Sequence, residues 1–195
     1  MNQEVEIEFK NLLNEEEYHR LRMAFFKNEE PFSQTNYYFD TKSYLLKDHG
    51  AMLRIREKAG SYILTLKQPI DTGLLETHQY LSDKEASTAF AGNGIPGGDV
   101  IEHLNKTVDL DRRDFRYLGS LTTERFERKI EGGLLVLDQS TYLDFTDYEL
   151  EFECADETEG KKAFSSLLDL HKIAERETPS KSHRFFSLSQ QTKRT

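Results

Sequence analysis

Three rows of charged residues, spaced two apart, carry the chemistry this sequence could perform. Side chains in an extended strand alternate between faces, so residues i and i+2 share one face. On this reading Glu4, Glu6, Glu8 and Lys10 line one side of the first segment, with Val5, Ile7 and Phe9 on the other. Glu149, Glu151 and Glu153 repeat the acidic row late in the chain. Arg54 and Arg56 form a basic row opposite Leu53 and Ile55, and Lys67 shares a face with Thr65 opposite Leu64 and Leu66. Like charges two apart on one face repel, and a solvated sheet has no need to gather them. Carboxylates bind hard divalent cations such as Mg²⁺ or Mn²⁺, which in turn hold phosphate oxygens. Arginine grips phosphate through paired hydrogen bonds and lysine as a point charge. A polyphosphate with its metal is the ligand for which both kinds of row make sense together; taken singly, each row also reads as a solvated strand face.

The elements that must position these rows are mostly strands. After the first strand, Asn14 caps a helix over about 15–27 whose apolar positions include Tyr18, Leu21, Met23, Phe25 and Phe26. Pro31 closes that segment. A strand over Thr35–Asp40 and a helical or turn segment near 41–49 follow, broken at Gly50. Segments 51–56 and 61–67 alternate and are joined through Lys58, Ala59 and Gly60 as a hairpin. A turn from Pro69 to Gly73 precedes a strand over 74–80. Ser82 then caps a short helix over 82–91, and a Gly-rich loop at 92–98 is expected to be the most flexible stretch. A second short helix lies around 99–106. Strands near 115–131, 134–143 and 147–154 complete the set, with Gly132-Gly133 as a tight turn; a helix over 157–170 and a basic tail from Lys181 close the chain. Many strands joined by hairpin-like turns, with helices inserted between them, predict an α+β, mainly β fold built on an antiparallel sheet. If that sheet curves into a barrel, the acidic and basic rows can both face inward. No repeat and no domain boundary is evident, so residues 1–195 are expected to form a single domain.

Composition narrows the partners. Lys and Arg total 26 against 35 Asp and Glu, a net charge of −9, which disfavours duplex nucleic acid and anionic membranes. The 13 Phe and 9 Tyr supply enough apolar area to argue against disorder. One cysteine, Cys154, excludes an internal disulfide and fits a reducing compartment, where it reads as an inert small apolar residue. No run approaches the roughly 18 apolar residues of a membrane span. The cytoplasm is the expected location; a monomer and a homodimer both fit the sequence.

Taken in order, the motifs resemble those of the CYTH superfamily, the triphosphate tunnel metalloenzymes, and in particular its small stand-alone bacterial, Bacillus-type members. They are Glu6-Ile-Glu-Phe-Lys10, Tyr38-Phe-Asp-Thr41, Leu53-Arg-Ile-Arg56, Leu64-Thr-Leu-Lys67, Glu76-Thr-His78, Thr123-Glu-Arg125, Leu137-Asp138, Glu149-Leu-Glu-Phe-Glu153 and Ser180-Lys-Ser182. The resemblance spans nearly the whole chain. It implies an eight-stranded antiparallel β-barrel enclosing a tunnel, with peripheral helices, a divalent metal (Mg²⁺ or Mn²⁺) and a small-molecule triphosphate substrate. It also implies roles: Glu6, Glu8, Glu149 and Glu151, with Asp138 near them, for metal; Lys10, Arg54, Arg56, Lys67, Arg125 and Lys181 for the triphosphate. Glu6, Glu8, Lys10 and Arg56 would form the catalytic set. Glu76 matches an acidic position of the family, but His78 stands where a second acid is usual, and Glu4 and Glu153 extend the acidic rows.

Plainer readings stand beside these. Lys181 and Arg184 also read as a solvated tail, His183 as a surface residue, His78 as a hydrogen-bonded strand residue, and Asp138 as a stabiliser of a turn before Ser140 and Thr141. Tyr37, Tyr38 and Phe39 read as packing residues. The activity implied is triphosphate hydrolysis; alternatives are a class IV adenylate cyclase-type conversion of ATP to cyclic AMP, and a non-catalytic nucleotide- or polyphosphate-binding protein.

Overall fold

A computed structural model of the chain describes residues 2–71, 73–106 and 110–192. Thr72, within the expected turn before the fifth strand, and the last three residues of the expected basic tail lie outside them. The strands are β1 (Asn2–Leu13), β2 (Phe32–Thr41), β3 (Met52–Lys58), β4 (Ser61–Pro69), β5 (Leu74–Leu81), β6 (Phe115–Ile130), β7 (Gly133–Tyr142) and β8 (Phe145–Cys154). The helices are α1 (Glu15–Phe25), α2 (Leu45–Asp48), α3 (Asp83–Phe90), α4 (Asp99–Leu104), α5 (Glu157–Leu170) and α6 (Lys181–Thr192). The strands form a closed antiparallel barrel in the order β1-β5-β4-β3-β2-β6-β7-β8: the alternation and the hairpin turns predict the antiparallel pairing, and the family resemblance implies the closure.

The chain divides into two compact units. The first comprises residues 1–5 and 34–120. Its β3–β4 hairpin turns on Ala59 and Gly60, both at positive φ, the geometry that matches the right-handed twist of paired strands. Leu53, Ile55, Leu64 and Leu66 on these strands pack against Ala89 of α3 and Val100, Ile101 and Leu104 of α4. The basic residues therefore lie on the opposite face, turned away from the helices. Ser82 caps α3 in a reciprocal capping box with Glu85. The Gly-rich loop runs against expectation. Ile95 is buried and its N–H donates to the Arg112 carbonyl; the Gln79 side chain bonds Gly97 O and Val100 N across the start of α4. Two of its glycines serve close packing, since a Cβ would lie 2.6 Å from the Arg112 carbonyl oxygen at Gly94 and 2.6 Å from the Gln79 side chain at Gly98, whereas Gly92 and Gly97 meet nothing within 4 Å.

The second unit comprises residues 6–33 and 121–195. Leu13, Phe126, Leu135, Leu137, Leu150 and Phe152 pack beneath Tyr18 and Leu21 of α1 and Phe164 and Leu168 of α5. The capping box expected at Asn14 forms with Glu17. Helix α1 ends two residues early, and Met23 is 57% exposed rather than packed, because it faces away from the strands. The β6–β7 turn falls on Glu131 and Gly132, with Gly133 already paired to Ile130. Leu143 turns with Asp144, both at positive φ, instead of ending β7. Lys181 does not open a solvated tail: it starts α6, where the Ser180 hydroxyl accepts the His183 N–H.

Candidate functional site

In the second unit, register carries the acidic row onto one face. Lys10 pairs with Glu151 and Glu8 with Glu153 across β1 and β8, Asp138 with Glu149 across β7 and β8, and Arg125 with Asp138 across β6 and β7. The Arg125 guanidinium donates from Nε and Nη2 to the two Asp138 carboxylate oxygens at 2.8 and 2.6 Å, and from Nη2 to Glu151 at 2.8 Å. Asp138 is thus mid-strand and fully buried, engaged by cations rather than bracing a turn. Lys181 Nζ lies 2.6 Å from Glu151, 2.8 Å from Asp138 and 3.2 Å from Glu149. Arg184, one helical turn on, bonds Asp147 and Glu149. Lys10 bonds Glu8 at 2.5 Å.

Backbone stitching delivers Lys181 to this face. The buried Asn11 amide donates to Ala174 O and accepts the Arg176 N–H, while the Leu12 N–H donates to the Thr178 hydroxyl. Arg176 grips Glu17 through both its terminal nitrogens. The segment between α5 and α6 is thereby tied along β1. Lys181 and Arg184 sit in the first turn of α6, where the helix dipole disfavours cations and where no acidic residue is present. Their placement is explained by the carboxylates they meet, and that inverted charge preference was the signal by which Arg184 and Asp147 could have been found.

The electrostatics show an acid surplus. Burial pushes the Glu149 carboxyl up to about 7, with the nearby Glu151 charge adding to it and Lys181 and Arg184 opposing. Burial, followed by the charge of Glu6, pushes Glu153 up to about 7. Burial opposes the charge of Glu151 too, but Lys181 and Arg125 outweigh it and hold this carboxyl well below its ordinary range. Burial likewise opposes the Lys10 charge, and Glu8 and Glu151 overcome it, so its ammonium is held above its usual value. Glu149 Oε1 is buried without a hydrogen bond; Lys181 is its charged neighbour at 3.2 Å. An all-oxygen donor set with carboxyls driven toward protonation fits a hard divalent cation. Glu6, Glu8, Glu149 and Glu151 are the residues expected to hold one. In this structure Asp138 gives both oxygens to Arg125 and Lys181, Glu151 does the same, and Glu149 meets Lys181 and Arg184, so these cations compete with a metal for all three.

In the first unit the rows run across β2, β3, β4 and β5. Tyr38, Arg54, Thr65 and His78 are in register, with Asn36, Arg56, Ile63 and Tyr80 in the adjacent row and Lys67 opposite Glu76 on the other side. Arg54 is 8% exposed, and its Nε is buried with no hydrogen-bond partner among the described residues. Asn36 Oδ1 accepts from Arg56 Nε at 3.1 Å and orients that guanidinium. Lys67 forms an ion pair with the buried Glu76. His78 Nδ1 meets the Thr65 hydroxyl at 3.0 Å, while Nε2 faces Glu4 at 3.0 Å and Glu76 at 3.4 Å. Glu4, Glu76 and His78 together could hold a cation. His78 is hydrogen-bonded on both sides, which also satisfies its plainer reading. Tyr38 is buried on the basic face, whereas Tyr37 and Phe39 join the helix-covered core. His183 is exposed, as expected.

Residues 4–186 match the family model for the CYTH domain. Over 187 residues the chain is 49% identical to a Bacillus subtilis (strain 168) protein named "Putative triphosphatase YjbK", covering 95% of this chain and 96% of that one. A Bacillus halodurans structure described as "a putative adenylate cyclase" is 38% identical, covers 95% of this chain and 100% of its own, and superposes with a TM-score of 0.90. The Hippeastrum protein HpAC1, called an adenylyl cyclase with a dominant triphosphatase activity, shares the fold at a TM-score of 0.74 and 23% identity, covering 93% of this chain and 95% of its own. The order of the motifs, the closed eight-stranded barrel and these matches have one explanation: the chain belongs to the CYTH domain family.

Proposed function

We propose that this protein is a metal-dependent triphosphatase that hydrolyses inorganic triphosphate or a triphosphate-bearing small molecule. The observation that carries the reading is the buried Arg54 Nε, a cationic donor with no acceptor among the described residues, on a face that also bears Arg56 and Lys67. A buried donor left unbonded costs on the order of 1–3 kcal/mol, and a phosphate oxygen would offset it. The naming of the Bacillus subtilis relative supports the same reading.

Arg54, Arg56 and Lys67 would bind phosphate oxygens, with Asn36 fixing the plane of Arg56. Lys10, Arg125 and Lys181 would complete the cationic set, and Asp138 would position Arg125 and Lys181 for it. A divalent cation, Mg²⁺ or Mn²⁺, held by Glu6, Glu8, Glu149 and Glu151 would neutralise charge on the phosphate oxygens. Phosphoryl transfer spreads charge over those oxygens, so fixed cations lower the barrier mainly by position and field. Water would be the nucleophile, activated by the metal or by a nearby carboxylate. We place the enzyme in the cytoplasm, a reducing compartment that the single cysteine fits.

Phosphate release from inorganic triphosphate, nucleoside triphosphates and thiamine triphosphate, each with Mg²⁺ and with Mn²⁺, tests the proposal. Glu8→Gln and Arg56→Ala should each lower kcat/KM by at least a hundredfold; a folded variant with full activity would overturn the assignment. The Bacillus halodurans relative keeps the cyclase reading in play. Cyclic AMP in place of released phosphate would establish it.

A further inference from the structure

Exposure on the basic face of the first unit rises in one direction. Glu76 and Thr65 are buried and Arg54 nearly so, whereas Arg56 and Ile63 are half-buried and Tyr80, at the end of the same face of β5, is 76% exposed. Ile63 and Tyr80 are directly paired across β4 and β5, and Ile63 is paired in turn with Arg56 across β3 and β4. An isoleucine and a tyrosine here break the polar pattern of the face. The two help line a cavity of about 240 Å³ with Glu4, Arg56, Thr65 and His78. Within it a guanidinium, an aliphatic side chain and an exposed phenol ring stand in one row, with a carboxylate beside them. Phosphate chemistry needs only the first of these.

We infer that Tyr80 and Ile63 form a ledge for the planar organic group of a nucleoside triphosphate, whose phosphates lie toward Arg56 and Arg54. Aromatic side chains accept any base by stacking, which suits a ring left standing in solvent. The Glu4 carboxylate can accept hydrogen bonds from ribose hydroxyls or base amino groups. Tyr80 is then a specificity-determining residue that touches the substrate's organic end and not its reacting phosphates. The inference rests on the triphosphatase reading and narrows its substrate to esters over inorganic triphosphate.

The test compares inorganic triphosphate, ATP, CTP and thiamine triphosphate on the wild type, Tyr80→Ala and Tyr80→Phe, reading kcat and KM separately with Mg²⁺. The expected result is a rise of about tenfold or more in KM for ATP and CTP in Tyr80→Ala, kcat little changed, inorganic triphosphate within twofold, and rescue by Tyr80→Phe. Equal effects on inorganic triphosphate and nucleotides, or none on either, would overturn the ledge. Selective loss with thiamine triphosphate alone would reassign it to a different heterocycle and overturn the nucleoside. If no substrate is hydrolysed, the triphosphatase reading fails separately, and calorimetry with ATP and inorganic triphosphate decides the ledge. Tighter binding of ATP, lost in Tyr80→Ala, supports it; equal binding of the two refutes it.

Discussion

Replacing Lys181 by methionine separates a buried keystone from a solvated tail. Its ammonium lies 2.6, 2.8 and 3.2 Å from Glu151, Asp138 and Glu149, all of them buried. At an effective dielectric of about 20 each contact is worth roughly 5–6 kcal/mol before the cost of burying the charges is subtracted. The contacts are not simply lost in the variant, because Arg125 still holds Asp138 and Glu151, and Arg184 still holds Glu149. The expected destabilisation is therefore that of a broken buried ion pair, about 3–5 kcal/mol. For a chain of this size that lowers Tm by roughly 6–20 °C. A solvated lysine would cost under about 0.5 kcal/mol. The sign with pH follows from the carboxyls left behind. Lys181 opposes burial at Glu149 and Glu151, so without it both carboxyls titrate higher in the folded state, and the stability they contribute is lost as pH climbs. The deficit in Lys181→Met should be larger at pH 8 than at pH 5. It should also shrink when Mg²⁺ replaces chelator, more than any gain Mg²⁺ gives the wild type. Thermal denaturation at both pH values, with and without Mg²⁺, reads all of this. A Tm within 2 °C of the wild type, or a loss equal at pH 5 and pH 8, would refute the reasoning.

Three further outcomes are expected. Glu153, pushed up to about 7 by burial and then by Glu6, contributes stability present below the ordinary carboxyl range and lost as pH rises through about 7. Glu153→Gln should accordingly raise Tm at pH 8 in chelator and leave it unchanged at pH 4.5; a drop in Tm at pH 8 would contradict the crowding of Glu6, Glu8 and Glu151 around it. Arg54→Met removes a buried N–H that has no acceptor among the described residues, and should stabilise the phosphate-free protein by about 1–3 kcal/mol in urea titrations while abolishing triphosphate binding. Gly94→Ala must hold a Cβ at φ +84° and 2.6 Å from the Arg112 carbonyl, so it should cost about 2–4 kcal/mol, whereas a freely mobile loop would lose less than about 1.

What the sequence made legible was local. Alternation and turn signals located the strands, caps at Asn14 and Ser82 located two helix starts, and residues 157–170 emerged as a helix. Period-two spacing also told which residues share a face, because it depends only on backbone geometry. It could not tell what that face meets. The family resemblance put Asp138 beside the metal ligands, and in the structure Arg125, thirteen residues earlier, and Lys181, far later, take its oxygens. Lys181 and Arg184 looked like a tail because a short stretch with basic residues is solvated unless something distant binds it. The binding comes from Asn11, Leu12 and Glu17, through hydrogen bonds spanning more than 150 residues of chain. The glycines at 92–98 misled for the same reason, since glycine permits both mobility and close packing and only the neighbours decide which.

The two units are each incomplete in an opposite sense, and that asymmetry bears more on function than any single ligand list. The acidic face already recruits Lys10, Arg125, Lys181 and Arg184, and still leaves Glu149 and Glu153 near neutrality. A structural ion-pair network would have matched its charges, because a surplus buried carboxylate is costly. The basic face holds Arg54 with a buried N–H that donates to no partner among the described residues, although Asn36 satisfies Arg56 one row away. A fold tuned for stability alone would have supplied an acceptor or removed the arginine. The first face calls for a cation with oxygen affinity and the second for an anion with several acceptor oxygens. A divalent metal bound to a triphosphate carries both in one species, and neither a free metal nor a free organic anion does.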